Sequence, residues 1–262
     1  MIRSLYTAAT GMDAQQTQMD TIANNLANAN TTGFKKVRAN FEDLLSETVR
    51  SPGEANPQGG GAPSIPLQVG LGVRTASTTR SFSIGDPIST GNPMDLAIGG
   101  TGFFKVMRAN GEVAYTRAGN FNLDSEGRLV AGGGELVEPS ITVPKTATSF
   151  TVTADGTVTA TLPNQVNPQN LGRIELATFV NPAGLMATGG NLFNETSASG
   201  APTLCNPGEQ GTGQIMQGQL ETSNVKAVEE MVAMISTQRS YELNSKVIQT
   251  ADQILQKLTT LR

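Results

Sequence analysis

The chain has 262 residues, with 18 Lys and Arg against 22 Asp and Glu, for a formal net charge of −4. Because it has no His and a single Cys, catalysis by a Ser-His-Asp triad, His-ligated metal sites and internal disulfides are excluded. No strongly basic region is present, which argues against a nucleic-acid partner. Only 37% of residues are hydrophobic, whereas Gly (29) and Pro (13) are frequent, so we expect many turns and modest cores.

Signals for membranes and for secretion are absent from the sequence. No apolar run approaches the ~18 residues that a membrane-spanning helix needs. The N-terminus lacks an apolar run followed by a small-residue cleavage site. We therefore expect no membrane insertion and no cleaved signal peptide, and these signals alone indicate a cytoplasmic protein.

The N-terminal segment carries apolar residues every three or four positions. This spacing predicts an amphipathic helix within residues 1–30, which ends where Asn28 and Gly33 supply helix-stop residues. Gln16 is the one interruption of the apolar stripe. The stripe consists of Ile2, Leu5, Ala9, Met12, Met19, Ala23 and Leu26.

A second, longer helix is predicted for residues 225–262, which contain neither Pro nor Gly and follow the N-cap cluster Thr222–Asn224. Its apolar residues form two stripes that differ by one residue in phase, with the shift near Arg239–Leu243. One partner helix could not cover both stripes. The first stripe contains Val225, Val228, Val232 and Ile235, and the second contains Val247, Ala251, Ile254, Leu258 and Leu261.

Between the helices the apolar period falls to two, and turn residues recur at short intervals. Asn-Gly and Asp-Gly favour tight hairpin turns because their backbones accept positive φ. Further strands are predicted at Gly127–Val130 and Ile174–Phe179, so residues 83–211 read as an all-β domain. The two predicted hairpins are Phe103–Val106 with Val113–Thr116 around Asn110-Gly111, and Phe150–Thr153 with Thr157–Thr159 around Asp155-Gly156.

Three segments contain residue types that also occur in ligand-binding or reactive sites. Each is better interpreted as an ordinary turn or loop. Gly99–Gly102 precedes a predicted hairpin rather than a helix, so it is a turn and not a nucleotide-binding loop. Asp124–Gly127 lacks the ligand spacing of a calcium loop and is predicted to be a solvated turn. Cys205 lies in a polar stretch that we interpret as a loop. We predict no catalytic residue, no cofactor and no metal.

Residues 51–66 contain four Pro and four Gly in sixteen positions. Such a composition does not bury enough apolar surface to fold alone, so composition favours a disordered linker.

The fold class predicted from these patterns is α+β, with long coiled-coil-like terminal helices paired in an assembly and an all-β middle domain. The alternative is that the two helices pack on each other and close a monomeric domain. Their length, their place at opposite termini and their content of Ala and Met favour contacts with other subunits. A head-to-tail repeat that does not close would then give a helical filament or tube.

The sequence resembles a known family, the bacterial flagellar basal-body rod and hook proteins. The resemblance covers both termini and the centre of the chain. It is carried by Ala23-Asn24-Asn25-Leu26-Ala27-Asn28 with Thr32-Gly33-Phe34-Lys35, by Asp95–Ile98, Gly102–Phe104 and Tyr115–Arg117, and by Glu221–Val225, Met231-Val232, Gln238–Glu242 and Ala251–Leu255. Within the family, Phe41–Leu45, the Pro/Gly-rich stretch and Gly70–Arg74 resemble distal rod proteins most closely.

The resemblance implies a structural subunit of the flagellar distal rod, a rigid hollow tube that transmits torque from the motor to the hook. It implies export by the flagellar type III apparatus, a periplasmic location in the basal body, and contacts with further copies of the chain and with proximal rod, hook and ring proteins. It also reinterprets residues 47–70 as an excursion that stiffens the rod through neighbouring subunits. Rival hypotheses are a hook or proximal rod subunit, a peptidoglycan-acting enzyme and a carbohydrate-binding β module.

The resemblance and the patterns together predict three domains and three groups of functional residues. The domains are residues 1–30 with 225–262, residues 31–82 with 212–224, and residues 83–211. The predicted assembly residues are Ile2, Leu5, Met12, Met19, Leu26, Val228, Val232, Ile235, Val247, Ile254 and Leu258. The family-signature turn comprises Asn24, Asn25, Asn28, Gly33 and Phe34, and the stiffening segment comprises Pro52, Gly53, Pro57, Gly60, Pro63 and Pro66.

Overall fold

The structure is a computed structural model that describes residues 2–50, 66–163 and 167–260. It has a long helix near each end and a strand-rich middle, which confirms the α+β class. The chain divides into two compact units. The first, called the helical unit, comprises Met1–Leu26, Val37–Thr79 and Ala227–Arg262, and the second, called the β unit, comprises Ala27–Lys36 and Arg80–Lys226. The division into three domains stays a prediction.

The helical unit contains both predicted helices and two small sheets. Helix α1 spans Ile2–Ala27 and helix α2 spans Ala227–Thr260. Among the described residues, neither helix contains an 18-residue window apolar enough to cross a membrane. The strands are β1 Val37–Asp43, β2 Ser46–Arg50, β3 Leu67–Gly70 and β4 Val73–Arg80, in which β1 pairs with β4 and β2 pairs with β3.

Local chemistry explains where the helices begin and end. Glu229 and Glu230 lie in the first turn of α2, where carboxylates interact favourably with the helix dipole, and Lys257 lies in its last turn. Helix α1 ends in a turn in which the Thr31 amide and hydroxyl both reach Asn28. No Pro interrupts either helix.

The β unit consists of short strands. They are β5 Pro87–Ser89, β6 Leu96–Gly99, β7 Phe103–Met107, β8 Val113–Thr116, β9 Asn122–Leu123, β10 Leu129–Val130, β11 Leu136–Val137, β12 Ser149–Val152, β13 Thr157–Thr161, β14 Gln169–Arg173, β15 Leu176–Thr178, β16 Met186–Gly189, β17 Leu192–Asn194, β18 Thr203–Cys205, β19 Gln214–Gln217 and β20 Gln219–Glu221. A 3₁₀ turn lies at Pro182–Gly184.

One nine-stranded sheet organises most of the β unit. Its strand order is β16-β17-β8-β7-β11-β10-β9, and β15 pairs with both β7 and β18. Strands β12, β13 and β14 form a second sheet, while β6 pairs with β19 and β5 with β20. The last two pairings connect the beginning of the unit to its end.

Both predicted hairpins are confirmed. Strands β7 and β8 pair antiparallel around Asn110-Gly111, with Gly111 at φ +82°, and β12 and β13 pair antiparallel around Asp155-Gly156. The Gly99–Gly102 segment connects β6 to β7, and Asp124–Gly127 forms a turn in which Asp124 pairs with Arg128 at 2.7 Å. The two turn predictions are therefore also confirmed.

The core of the β unit lies between these sheets. Leu96, Phe104, Val106, Val158 and Ile174 are fully buried. A smaller aromatic cluster packs around Phe103, Tyr115 and Phe193. The interpretation of Cys205 as a loop residue is wrong, because it lies in β18, is buried, and its Sγ donates to Gln210 Oε1 at 3.0 Å.

Candidate functional site

Helices α1 and α2 contact each other inside the helical unit and run in opposite directions. A Cβ added to Gly11 would lie 3.0 Å from Nδ2 of Asn244. Near the other end, Asn25 Nδ2 donates to Glu230 Oε2 at 3.2 Å. Fourteen residues forward on α1 thus correspond to fourteen residues back on α2. The two contacts define a seam between antiparallel helices.

The α2 side of the seam is built from small and polar side chains. Along α2 the buried residues Glu230, Thr237 and Ala251 recur, with Asn244 between them, at a seven-residue spacing. This is the period that keeps one face of a helix against a partner. On α1 the buried residues are Ala8, Ala14, Ile22 and Asn25. The α2 side of the seam is therefore polar or small, while α1 contributes the apolar Ile22 among its buried residues.

The larger apolar side chains of α2 lie outside the seam. The predicted residues Val228, Val232, Ile235, Val247 and Ile254 are between 45% and 69% exposed. At ~100° per residue, the first three lie roughly opposite the seam and the last two about 90° further around the helix. The phase shift in the sequence thus corresponds to two apolar patches on different faces of one helix. Met231 and Tyr241, which lie in the signature segments, and Leu243 are also exposed.

The predicted residues of α1 are less exposed. Leu5, Met12, Met19 and Leu26 are half-buried and flank the seam. Their side chains are therefore partly covered within the chain. The side chains of Ile2 and Leu258 lie outside the described set.

Asn25 has a structural explanation that its place in the signature did not reveal. Its Nδ2 donates to the Val37 carbonyl at 2.8 Å, and its Oδ1 accepts from the Val37 amide at 2.9 Å. The side-chain amide thus pairs with a backbone residue as a neighbouring strand would. Because the same Nδ2 also reaches Glu230, Asn25 joins α1, the start of β1 and α2.

Gly33 and Phe34 lie in the β unit. Gly33 has φ +68°, and a Cβ there would lie 2.7 Å from the Ala118 amide nitrogen, so only glycine fits. Phe34 is buried, with the Arg80 guanidinium 5.8 Å from its ring centroid. Asn24 is exposed and Asn28 forms the turn after α1. Asn25, Gly33 and Phe34 therefore fix the end of α1 and the segment that follows it.

A buried ion cluster follows the signature turn. Lys35 is fully buried, and its Nζ lies 2.5 Å from Glu221 Oε1 and 2.6 Å from the Ser83 carbonyl. Arg117 Nε lies 3.0 Å from Glu221 Oε2. Burial lowers the pKa of Lys35, and the Glu221 carboxylate opposes that shift. Two cations thus share one carboxylate that also accepts from the Gly85 amide at 2.9 Å.

Asn224, in the segment that precedes α2, hydrogen-bonds to the segment that follows α1. Its Oδ1 accepts from the Lys36 amide at 2.7 Å, and its Nδ2 donates to the Ser81 carbonyl at 2.9 Å. The segments that follow α1 and precede α2 therefore run together within the β unit. Sequence reasoning missed Glu230 and Asn244 as seam residues, although the seven-residue spacing of small and polar residues on α2 is a usable signal.

Most of the predicted stiffening segment lies outside the described residues, namely Pro52, Gly53, Pro57, Gly60 and Pro63. Pro66 is exposed and directly precedes β3. The antiparallel strands β2 and β3 lie at the two ends of this segment.

Comparisons with known proteins found family models that match three segments of the chain. A family model described as flagella basal body rod protein matches residues 5–35, and one described as flagellar hook protein FlgE/F/G D1 domain matches residues 97–160. A third, described as flagellar basal body rod FlgEFG protein C-terminal, matches residues 216–261. The first model covers most of α1, and the third covers all of α2.

Several full-length relatives are named flagellar basal-body rod protein FlgG. The chain is 48% identical over 261 residues to the flagellar basal-body rod protein FlgG of Caulobacter vibrioides, with 100% of both chains covered. It is 48% identical over 257 residues to that of Borreliella burgdorferi, covering 97% of each, and 42% identical over 267 residues to that of Bacillus subtilis, covering 100% of each. The chain therefore belongs to the flagellar basal-body rod protein family, whose members are structural subunits and not enzymes.

Proposed function

We propose that the chain is the subunit of the flagellar distal rod and that it polymerises through its terminal helices. The observation that carries this proposal is the exposed apolar surface of α2, where Val228, Val232 and Ile235 are each more than half exposed. Contiguous exposed apolar side chains on a folded protein mark interaction surfaces. The contacts between α1 and α2 of the same chain leave these residues uncovered.

Polymerisation would remove this surface from water. Each Val, Leu, Ile or Met side chain that becomes buried stabilises the assembly by about 1.5–3 kcal/mol. A rod of defined direction needs a head-to-tail contact that repeats without closing. The two apolar patches of α2 support such an arrangement, because patches on different faces suit contacts with two different neighbours.

The assembled rod would be a hollow helical tube with the helices around the export channel and the β units outside. It would transmit torque from motor to hook and contact proximal rod, hook and ring proteins in the periplasm. Subunits would arrive through the flagellar type III export apparatus without losing a signal peptide. The full-length similarity to proteins named FlgG supports the rod over the hook.

The excursion at residues 47–70 would stiffen the rod through neighbouring subunits. Support comes from its Pro/Gly composition and from strands β2 and β3 at its ends. Removal of residues 51–66 should give curved rods in electron micrographs, whereas straight rods would speak against this role.

The proposed function is tested by placing a charge in the first patch. Ile235→Asp, expressed in a bacterium that lacks its own copy, should give basal bodies with truncated rods and no hooks, because a buried unpaired charge is unfavourable. Ile235→Leu is the matched control and should restore complete rods. Complete rods with Ile235→Asp, or in cells that lack the protein entirely, would refute the proposal.

A further inference from the structure

Both helices carry a pattern of exposed charges seven residues apart. Helix α1 carries three charged residues, Arg3, Asp13 and Asp20. Asp13 and Asp20 are seven residues apart and exposed. On α2, Arg239 and Lys246 are also seven residues apart and exposed. None of these four side chains forms an ion pair within the described parts of the chain.

All four charges point away from the seam between α1 and α2. Asp13 is two positions from Gly11, and Lys246 is two positions from Asn244. Asp20 is likewise two positions from Ile22, and Arg239 is two positions from the buried Thr237. Successive residues of a helix are ~100° apart around its axis. Each charge is therefore roughly 160° around its helix from the seam, and the acids of one chain do not reach the bases of the same chain across it.

We propose that the outward face of α1 in one copy packs on the outward face of α2 in a second copy, with Asp13 opposite Lys246 and Asp20 opposite Arg239. The two acids are two helical turns apart on α1, and the two bases are two turns apart on α2. Each separation is about 10.5 Å at 1.5 Å per residue, so both acid–base pairs can form at the same time. The inference rests on the proposed function, which supplies the second copy. To that function it adds which helix faces are in contact, that the two helices are antiparallel, and which residues lie opposite each other.

The antiparallel direction follows from the symmetry of a rod. Within one chain α1 and α2 are antiparallel. A head-to-tail operation with a small rotation about an axis near that of the helices keeps the direction of each helix. The α1 of one copy is then antiparallel to the α2 of its neighbour.

The apolar neighbours of the charges agree with this register. Pairing Asp20 with Arg239 brings the exposed Ala23 and Ala27 next to Ile235 and Val232. Small residues against larger ones allow two helices to approach and interdigitate. Glu242 lies between the bases in sequence but is displaced roughly 50° around the helix from them. The first apolar patch and the two bases therefore form one continuous strip for α1 of the neighbour.

Charge reversal and its rescue test the pairing. We expect the double variants Asp13→Lys/Asp20→Lys and Arg239→Asp/Lys246→Asp each to lower incorporation into purified basal bodies by at least about tenfold, because like charges then face each other. The chain with all four substitutions should return to within about threefold of the wild type. Asp252→Lys, an exposed reversal on α2 outside the outward strip, is the control and should incorporate normally.

Disulfide trapping gives a second, direct measurement. With Cys205→Ser as background, Asp20→Cys combined with Arg239→Cys should give covalent multimers in isolated rods. Asp20→Cys with Lys246→Cys, displaced by seven residues, should give at least about tenfold fewer, since Cβ atoms beyond about 4.5 Å do not bridge readily.

The outcomes separate this inference from the proposed function. No rescue by the fourfold variant, or equal trapping by the displaced cysteine pair, would overturn the pairing. If Ile235→Asp still prevents rod formation in that case, the proposed function stands and only the contact between copies is wrong.

Discussion

The two units of the chain bury different kinds of side chain. In the β unit, Phe104, Val106 and Ile174 are completely inaccessible to solvent. In the helical unit, the buried residues of α2 include Glu230, Thr237 and Ala251, while Val228, Val232 and Ile235 are more than half exposed. The β unit thus contains its own core, whereas much of the apolar surface of the helices is available to other molecules.

This difference separates folding from assembly along one chain. A core of large apolar side chains stabilises the β unit in the free subunit. Polar residues in the seam, such as Asn25 and Glu230, can specify direction and register, as buried polar residues do in some coiled coils. A truncation in the core of the β unit should therefore mainly lower the stability of the subunit. A truncation of similar size on the exposed face of α2 should mainly weaken assembly.

The largest expected effect comes from truncating a core residue. Phe104→Ala should lower the free energy of unfolding of the β unit by about 3–5 kcal/mol, since it removes a fully buried ring. Ile235→Ala, an exposed residue of α2, should change the stability of the free subunit by less than about 0.5 kcal/mol. Chemical denaturation of the purified monomers measures both. Equal losses would show that the helical unit has an apolar core of its own.

Removal of the shared carboxylate should come next. Glu221→Gln leaves Lys35 and Arg117 buried without a counter-ion, and breaking such a cluster costs about 3 kcal/mol of stability. Lys35→Met should cost less, because Arg117 and Glu221 remain a neutral pair. The exposed Glu126, 3.4 Å from Arg128, provides the control Glu126→Gln, whose effect on the unfolding midpoint should be negligible.

A smaller loss is expected at the signature turn. Gly33→Ala should cost at least about 2 kcal/mol, because it adds a clash with the Arg117–Ala118 backbone to the strain of a positive φ. Gly111 has φ +82° but no atom within 4 Å of an added Cβ, so Gly111→Ala should cost only about 1 kcal/mol. Thermal unfolding of the two variants separates clash from strain. Similar midpoints would mean that the backbone near Gly33 yields.

What could be predicted from the sequence was local. The helical period, and Asn110-Gly111 between alternating segments, identify α1, α2 and a hairpin without knowledge of the rest of the chain. The pairings of β5 with β20 and of β6 with β19 join segments more than a hundred residues apart, and short strands carry no signal for a distant partner.

The candidate site shows the same limit. Exposed apolar stripes on α2 were predicted from their spacing. The seam was missed because its residues, such as Glu230 and Asn244, are polar, and a search for apolar periods does not find them. The role of Asn25 required the backbone of Val37, twelve residues away, to be located in space.

The smallest expected effect is a pH dependence confined to the β unit. Burial, assisted by Glu195, raises the pKa of Tyr115 from 10.0 to about 12, and its hydroxyl donates to Glu195 Oε2 at 3.3 Å. Between pH 10 and 12 the folded state therefore keeps a proton that the unfolded state has lost, so stability falls as pH rises through this window. Tyr115→Phe should flatten that decline and remove the phenolate absorbance that develops near pH 12. An unchanged slope in the variant would assign the alkaline loss to other groups. Helix content that falls before the β unit unfolds would place the alkali-sensitive groups in the helical unit instead.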